Sequence, residues 1–275
     1  MISRSRLAVL GHPIAHSFSP LLHQTAARIL GLDWSYTRFD VTEPELPGFV
    51  RAVRGDWLGL SLTMPLKRTI LPLLDWADPR VQALGVANTI RFDGGRILGA
   101  NTDVLGFSRL IEQSGTPNTL LLLGSGATAL SALAAAAERG IQEISAAVRT
   151  PAHATRLRQF ADDHGLRLSI CALTELSGTV PARTLTISTL PPGAGDSIRL
   201  KPETPGQTLL DAAYGAHDLP LAAQWRDAGG IALDGTALLI EQAIPQDAFF
   251  LGQDPETHLP EEGRLRSAMH AALGR

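Results

Sequence analysis

The chain has 275 residues, 44% of them hydrophobic, and a formal net charge of −3 at pH 7. This length suggests two domains, and the small net charge gives no general attraction to nucleic acid or to an anionic membrane. The single cysteine, Cys171, excludes an internal disulfide framework and a cysteine-based zinc cluster. No apolar run approaches a membrane span, and the first residues do not resemble a secretory signal. We therefore expect a cytoplasmic protein with neither a membrane nor a nucleic-acid partner.

The first 100 residues alternate strand-like and helix-like segments. A buried strand is expected at 6–11, and a helix at 20–30 with Ser19 as its N-cap, Pro20 as its first residue and Gly31 as its end. Further strands are expected at 34–39 and 57–63, with helices near 43–54, 65–74 and 79–84. Such alternation predicts parallel βαβ units. The segments ANTIRF and RILGAN, on either side of DGG, predict a hairpin.

A second strand–helix series begins near residue 118. Strands are expected from 118 to the glycine-rich turn and at 143–149, 168–173, 183–192, 208–214 and 230–235, with helices ending at Gly140 and spanning 151–165. From Thr236 the sequence is helical, and two helices with no strand after them are expected to return to the first domain. We expect an α/β protein with residues 1–106 and 236–275 in one domain and 107–235 in the other.

Two serines lie one residue apart just ahead of the first predicted helix. In an extended segment the side chains of Ser17 and Ser19 point the same way, so both hydroxyls can reach one ligand. A helix N-terminus offers free N–H groups and a positive potential that favour an anion. The pair predicts a site for a small carboxylate, although Ser19 by itself is equally typical of an ordinary helix cap.

The sequence LLLLGSGATA contains the pattern G-x-G-x-x-A at Gly124, Gly126 and Ala129. It follows an apolar strand and opens a helix, which is the context that a dinucleotide-binding turn requires. Gly124 permits the tight turn, and Gly126 lets a pyrophosphate approach the backbone. The alternative is a glycine turn in a doubly wound fold that binds nothing.

The end of the next predicted strand indicates which dinucleotide is bound. An NAD site usually carries an acidic residue there for the ribose 2′-hydroxyl, whereas this chain has Arg149 followed by Thr150. A guanidinium pairs with a phosphate and a carboxylate would repel one. The sequence therefore favours NADP over NAD, unless Arg149 only begins a surface helix.

Polar residues cluster where strands of the first domain are expected to end. Ser61, Lys67, Asn88 and Asp103 all occupy such positions, and ligands of open α/β sheets bind beyond the carboxyl ends of strands. A lysine in the first turn of a helix is disfavoured by the helix dipole, so Lys67 suggests a role other than stability. Asp103 alone is also typical of an N-cap before the next helix.

Seven stretches in order resemble the motifs of shikimate dehydrogenases. They are GHPIAHSFSP, SLTMPLK, GVANT, GANTD, GSGATA, DAAY and DGTALLIEQA, and they extend over most of the chain. The resemblance implies an N-terminal open α/β substrate domain followed by a Rossmann-type domain. It also implies an enzyme that reversibly reduces 3-dehydroshikimate to shikimate with NADP.

The resemblance assigns roles to individual residues. Ser17 and Ser19 would hold the substrate carboxylate with Tyr214 nearby, and Lys67 and Asp103 would be the catalytic pair. The residues expected to contact the rest of the substrate are Ser61, Thr63, Asn88 and Gln242. The residues expected to bind NADP are Gly124, Ser125, Gly126, Ala127, Arg149, Thr150, Thr189 and Gly235. No metal site is expected.

The chain departs from the family pattern in five places. Ser61 stands where the family usually has asparagine, and Val148 where an asparagine precedes the arginine–threonine pair. In the glycine-rich turn Ala127 replaces a common third glycine and Leu130 a common arginine, and His12 stands where a small or amide residue is frequent. One alternative is a quinate/shikimate dehydrogenase that uses NAD. A more remote one is a non-catalytic NADP-binding sensor. The sequence leaves open whether the protein is a monomer or a homodimer.

Overall fold

The computed structural model describes residues 5–115, 117–214 and 219–274. Its contacts divide the chain into two compact units: the first comprises residues up to Gly106 with those from Leu239 onward, and the second runs from Phe107 to Leu238. Both units combine helices with a six-stranded sheet, which confirms the α/β fold class. Within the described ranges, no helix combines the length and apolar character needed to cross a membrane.

The first half of the chain forms six strands and five helices among the described residues. In chain order they are β1 (Ser5–Gly11), α1 (Ser19–Leu30), β2 (Trp34–Asp40), α2 (Leu46–Val53), β3 (Gly59–Leu62), α3 (Leu66–Thr69), β4 (Trp76–Ala77), α4 (Pro79–Leu84), β5 (Thr89–Asp93), β6 (Arg96–Ala100) and α5 (Thr102–Gln113). A 3₁₀ turn at Leu71–Leu73 lies between α3 and β4.

The second half begins with the strand that precedes the glycine-rich turn. Its elements are β7 (Thr119–Leu123), α6 (Ala127–Glu138), β8 (Glu143–Val148), α7 (Thr155–Asp163), β9 (Arg167–Ala172), β10 (Ser177–Val180), β11 (Thr184–Ser188), β12 (Arg199–Pro202), β13 (Thr208–Asp211), α8 (Pro220–Asp227), β14 (Ile231–Leu233), α9 (Gly235–Phe250) and α10 (Glu262–Ala272). Single 3₁₀ turns occur at Pro151–His153 and Leu173–Glu175.

The sheet of the first unit is mixed. Its strand order is β2-β1-β3-β5-β6-β4, with β1 parallel to β2 and β3 but β5 antiparallel to β3 and β6. The predicted hairpin is confirmed: Gly94 and Gly95 connect β5 to β6 with positive φ angles of 54° and 79°, as a two-residue primed turn requires. The expected parallel pairing is found for β1 with β2 and β3, whereas β5 runs antiparallel to β3 and, through this turn, to β6.

Two predicted helices begin or end differently because of proline. Pro47 lies in the first turn of α2, where its missing N–H costs nothing, so the helix begins at Leu46 rather than near residue 43. The predicted helix 65–74 is divided into α3 and the 3₁₀ turn, since Pro72 cannot donate the hydrogen bond that would continue α3.

Two predicted caps are also wrong in detail. The N-cap of α1 is Phe18, and Ser19 is the first helical residue rather than the cap. Asp103 lies within the first turn of α5 rather than ahead of it. A carboxylate in a first turn is favoured by the helix dipole, so its place there is still electrostatically favourable.

The main sheet of the second unit is entirely parallel. Its order β14-β13-β11-β7-β8-β9 is the doubly wound arrangement of dinucleotide-binding domains, in which the first strand lies at the switch point. This confirms the Rossmann-type prediction. A separate two-stranded sheet, β10 with β12, is not predicted by the sequence analysis.

The C-terminal helices pack on the first unit, as predicted. Ile244 of α9 and Met269 of α10 belong to one buried cluster with Leu22 and Ala26 of α1. This cluster fixes the rotation of α9, which carries two glutamines toward the polar edge of the sheet.

Glycine at position 59 allows β3 to pack closely on its neighbours. A Cβ there would lie 2.5 Å from the carbonyl oxygen of Ile90 and 2.7 Å from the ring of Phe250, whereas a Cβ at Gly263 of α10 would meet open space. We expect Gly59→Ala to destabilise the protein by about 1–3 kcal/mol through overpacking. Gly263→Ala should be neutral or stabilising by up to about 1 kcal/mol. Thermal unfolding of the two variants checks this, and equal midpoints would contradict it.

Candidate functional site

A buried ion pair joins two of the residues singled out from the sequence. Lys67 Nζ lies 2.6 Å from Asp103 Oδ2, and the two side chains are only 12% and 7% exposed. Within the described residues, Asp103 is the only hydrogen-bond partner of Nζ, so two of the three N–H bonds of the ammonium remain available. The pair can therefore contact a ligand without separating.

The helix dipole does not indicate a role for Lys67, contrary to the inference from the sequence. Because α3 is a single turn of four residues, its dipole is too small to disfavour a lysine there. The Lys67 carbonyl accepts a hydrogen bond of 2.9 Å from the N–H of Ala87, which connects the lysine to the segment that precedes β5. Lys67 and Lys201 are the two lysines of the sequence.

Asn88 connects the ion pair to the sheet. Its Nδ2 donates to Asp103 Oδ1 at 2.9 Å, while its Oδ1 accepts from the N–H of Thr102 at 2.8 Å. Asn88 precedes β5 instead of ending a strand, so that part of the prediction is wrong. The antiparallel pairing of Thr89 with Ser61 and Ala100 nevertheless brings it to the edge where β3 and β6 end.

Ser61 is 3% exposed and lies inside β3. Its hydroxyl accepts a hydrogen bond from Tyr36 at 2.6 Å and donates one to Gln246 Oε1 at 2.9 Å. Burial raises the pKa of Tyr36, which keeps its hydroxyl protonated as a donor. The hydrogen bonds of Ser61 are thus made within the protein.

Two further expected residues lie around Asn88 and β3. Gln242 of α9 approaches Asn88, with Oε1 3.4 Å from Nδ2, and its own Nε2 donates to the Leu239 carbonyl at 2.7 Å. Thr63 follows β3, is half-buried, and donates its N–H to the Leu10 carbonyl at 2.9 Å. The structure therefore brings Gln242 to the ion-pair network.

The two serines form a second polar group at the start of α1. Ser17 and Ser19 are 9% and 6% exposed, and Ser17 Oγ accepts the Ser19 N–H at 3.3 Å. Arg38 of β2 fixes this loop, since its Nη1 donates to the carbonyls of Ala15 at 2.6 Å and Ser17 at 3.2 Å. Among the hydrogen bonds of the described residues, none joins these serines to the ion pair.

A buried histidine–aspartate pair was missed by the sequence analysis. His23 Nδ1 lies 2.6 Å from Asp247 Oδ1, both side chains are fully buried, and the His23 ring stacks on Tyr36 with centroids 4.2 Å apart. Burial raises the pKa of Asp247, and the charge and hydrogen bond of His23 oppose that effect. Helical spacing could have indicated His23, which follows Ser19 by four positions, and the neighbouring Gln246, which follows Gln242 by four, but it gives no signal for Asp247.

The glycine-rich turn of the second unit has the expected local geometry. Gly124 has a φ of +111°, and a Cβ there would lie 2.5 Å from Thr189 Oγ1, which itself donates to the Leu123 carbonyl. Gly126 is the N-cap of α6, where no side chain caps the helix and an added Cβ would meet nothing within 4 Å. The turn therefore presents open backbone at a helix N-terminus, which suits a phosphate.

The other residues expected at the cofactor site are placed around the same sheet. Arg149 and Thr150 are exposed directly after β8, and Ser125 and Ala127 are half-buried in the turn. Gly235 begins α9, and its backbone packs so closely on the Ala212 carbonyl that a side chain would clash.

Tyr214 is half-buried after β13, in the second unit. The described residues contain no group of three histidine, cysteine, aspartate or glutamate side chains placed to bind a metal.

Comparisons with known proteins agree over nearly the whole chain. A family model described as the shikimate dehydrogenase substrate binding domain matches residues 9–90. The shikimate dehydrogenase (NADP(+)) of Methanothermobacter thermautotrophicus is 30% identical over 94% of this chain and 95% of its own. The crystal structure of Mycobacterium tuberculosis shikimate dehydrogenase superposes with a TM-score of 0.79 at 32% identity over 98% of both chains. The Thermus thermophilus enzyme in complex with NADP(H) and shikimate gives a TM-score of 0.78 at 30% identity, covering 98% of this chain and 99% of that one.

The two glycines of the turn should respond differently to substitution. Gly124→Ala should cost about 1–3 kcal/mol of stability, because alanine is strained at this positive φ and its Cβ meets Thr189. Gly126→Ala should leave the thermal midpoint nearly unchanged, because its φ of −78° is ordinary and the space is open. Melting curves of both variants without ligand check this, and a Gly126→Ala midpoint as low as that of Gly124→Ala would contradict it.

Proposed function

This chain belongs to the shikimate dehydrogenase family, and on that premise we propose that it catalyses the reversible, NADP-linked reduction of 3-dehydroshikimate to shikimate. The observation that carries the proposal is the buried Lys67–Asp103 pair, with Asn88 donating to the same carboxylate. It supplies a group for proton transfer at an edge of the sheet where polar side chains converge. Similarity to proteins of that name over nearly the full length supports the same reading.

The first unit would bind the substrate through two polar groups. Ser17 and Ser19 would hold its carboxylate, supported by their adjacency at the start of α1 and by the Arg38 guanidinium, which adds positive charge beside the loop. The resemblance assigns Tyr214, which follows β13, to the carboxylate, and the residues proposed for the remainder of the substrate are Thr63, Asn88, Gln242 and Ser61. Ser61 is the weakest of these as a direct contact, because its hydroxyl is already engaged by Tyr36 and Gln246.

The part of Lys67 and Asp103 in the reaction is to handle the proton of the hydroxyl that becomes a carbonyl. Lys67 Nζ has N–H bonds left over from its contact with Asp103, so it can donate to the carbonyl oxygen in the reductive direction. In the oxidative direction the neutral amine would accept the hydroxyl proton. Asp103 orients the amine and, when Lys67 is neutral, can itself accept a hydrogen bond from the hydroxyl.

The second unit has the features that an NADP molecule requires. The open backbone at Gly126 and the uncapped N-terminus of α6 suit a pyrophosphate, and Arg149 with Thr150 would bind the 2′-phosphate. We also assign Gly124, Ser125, Ala127, Thr189 and Gly235 to this site. Gly235 would act through backbone packing, because its close approach to Ala212 leaves no room for a side chain. When bound, NADP⁺ supplies the hydride acceptor.

Two alternative functions make different predictions for one assay. A quinate/shikimate dehydrogenase would turn over quinate with NAD, and a sensor would bind NADP without turnover. Purified protein should be mixed with shikimate or quinate and with NADP⁺ or NAD⁺, and the absorbance of reduced nicotinamide followed. Our proposal expects the highest kcat/KM for shikimate with NADP⁺. Absence of turnover with that pair would refute it.

We infer a cytoplasmic location for this reaction. A single cysteine, Cys171, is typical of chains that fold in a reducing compartment. Tagging the protein and fractionating the host cell would test the inference, and recovery from an oxidising compartment would contradict it.

Removing the amine of Lys67 should abolish most of the activity. Lys67→Met keeps the length of the side chain but cannot transfer a proton, so kcat should fall by about 10²–10⁴ while the affinity for NADP changes little. Lys201→Met is the matched control, because Lys201 is exposed on β12 in the second unit. Steady-state kinetics and NADP titration check this, and a kcat of Lys67→Met near that of the control would remove Lys67 from the chemistry.

Arg149 should determine the preference between the two nicotinamide cofactors. Arg149→Ala removes a guanidinium that pairs with a phosphate, so the KM for NADP⁺ should rise by roughly tenfold or more while that for NAD⁺ stays nearly constant. Arg156→Ala on the exposed side of α7 serves as a control for the loss of positive charge. Equal increases for both cofactors would mean that Arg149 does not contact the 2′-phosphate.

A further inference from the structure

A buried run of hydrogen bonds connects the His23–Asp247 pair to the ion pair. His23 Nε2 lies 3.1 Å from Gln246 Oε1, and Gln246 Nε2 donates to Thr89 Oγ1 at 2.8 Å. Thr89 Oγ1 in turn donates to Asn88 Oδ1 at 2.9 Å. Since Asn88 Nδ2 donates to Asp103, the run extends from α1 and α9 to the catalytic carboxylate. His23, Thr89 and Asp247 are fully buried, and Gln246 is 2% exposed.

The direction of this run is fixed by groups that can only accept or only donate. The Asn88 carbonyl lies 3.4 Å from Gln246 Nε2 and can only accept, so the amide nitrogen of Gln246 faces it and Thr89. The Thr89 hydroxyl therefore accepts a hydrogen bond from Gln246 Nε2 and donates one to Asn88 Oδ1. With its oxygen engaged in this way, the Asn88 amide must direct Nδ2 toward Asp103.

The positions of the hydrogens on His23 are fixed by its partners in the same way. Gln246 Oε1 can only accept, so His23 Nε2 carries a hydrogen. The 2.6 Å contact between His23 Nδ1 and Asp247 Oδ1 then holds one further proton, and the pair has no net charge whichever atom carries it. A neutral buried pair can hold Gln246 in place without adding a charge near Lys67 and Asp103.

We propose that Gln246 and Thr89 are positioning residues for the reaction, because they hold the Asn88 amide in the orientation that donates to Asp103. Gln246 is itself held by hydrogen bonds of its Oε1 to His23 and Ser61. The inference rests on the function proposed above. It also gives Ser61 a role within the protein that agrees with its burial and with its two hydrogen bonds.

Asn88 Oδ1 is anchored by two residues that differ in origin. The N–H and the hydroxyl of Thr102, which donate at 2.8 and 3.2 Å, belong to α5, the helix that also carries Asp103, so this anchor moves together with the carboxylate. The Thr89 hydroxyl belongs to β5 and is held by α9 through Gln246. The backbone of Asn88 is itself hydrogen-bonded to Leu62 and Ala100 of the sheet, and the second anchor ties its side-chain amide to β5 and α9. This anchor therefore holds the amide relative to a substrate bound at the sheet edge.

Position 89 offers a matched pair of variants. Thr89→Val keeps the shape of the side chain and removes the hydroxyl, whereas Thr89→Ser keeps the hydroxyl. We expect kcat to fall by roughly tenfold in Thr89→Val, as for other small displacements of reacting groups, and to stay within about twofold of the wild type in Thr89→Ser. The KM for NADP⁺ should not change in either variant. Equal kcat values for the two variants would overturn the proposal.

A control separates positioning from general loss of stability. Thr186 is a fully buried threonine of β11 whose hydroxyl has no hydrogen-bond partner in the described structure, so Thr186→Val should change neither kcat nor KM. If Thr89 acts through Gln246, the double variant Thr89→Val with Gln246→Leu should be no slower than the slower of the two single variants. Multiplication of the two losses would show that the residues act separately and would overturn the proposal.

Crystal structures of Thr89→Val and Thr89→Ser give a readout that needs no turnover. The valine variant should lose the Asn88 Nδ2–Asp103 Oδ1 hydrogen bond and the serine variant should keep it. Retention of that bond in the valine variant would refute the positioning role even if the wild type failed to oxidise shikimate. Absence of wild-type turnover, by contrast, would refute the proposed function and leave the structural result to decide the inference.

Discussion

Two opposite charges, on Lys67 and Asp103, lie 2.6 Å apart with little access to water. Removing such groups from water costs several kcal/mol for each ion, and their mutual attraction offsets this only when the remaining polar atoms are also hydrogen-bonded. Asn88 meets this requirement for the carboxylate, since it donates to the oxygen that Lys67 does not contact. The surrounding amides and hydroxyls are therefore needed to stabilise the buried pair, whether or not they also bind a ligand.

The reversal of one strand makes this arrangement possible. If β5 ran parallel to β3, Asn88 would lie at the opposite edge of the sheet from Ser61 and Lys67. Antiparallel pairing of β5 with β3 places the start of β5 beside the end of β3, and the two-glycine turn at Gly94 and Gly95 returns β6 so that its end lies there too. A local feature with a clear sequence signal thus brings the residues after β6 beside those at the start of β5.

Local signals predicted the features whose causes are local. The hairpin, the glycine-rich turn and the parallel second sheet follow from residue types that restrict the backbone directly, as the φ of +111° at Gly124 illustrates. Helix boundaries were wrong where a single proline decided them, as Pro47 and Pro72 did. These errors could have been avoided, because the effect of proline on a helix is readable from the sequence.

Long-range contacts account for what was missed. The hydrogen bond between His23 and Asp247 joins residues 224 positions apart, and no pattern within either helix indicates that they meet. Ser61 was expected to contact the substrate from its place in a motif, but its neighbour Tyr36 comes from another strand and already occupies its hydroxyl. Such partners become visible only when the sheet and α9 are assembled.

The two candidate sites depend on different kinds of chemistry, and this affects how each tolerates substitution. The first unit uses paired side chains, so the loss of one partner leaves a buried charge or amide unsatisfied, which is costly. The second unit uses open backbone at Gly126 and the start of α6, which any sequence with the same turn can supply. The selectivity of the cofactor site then depends on few side chains. With valine at position 148 and leucine at 130, where the family commonly has polar residues, the proposed discrimination for a 2′-phosphate would depend mostly on Arg149.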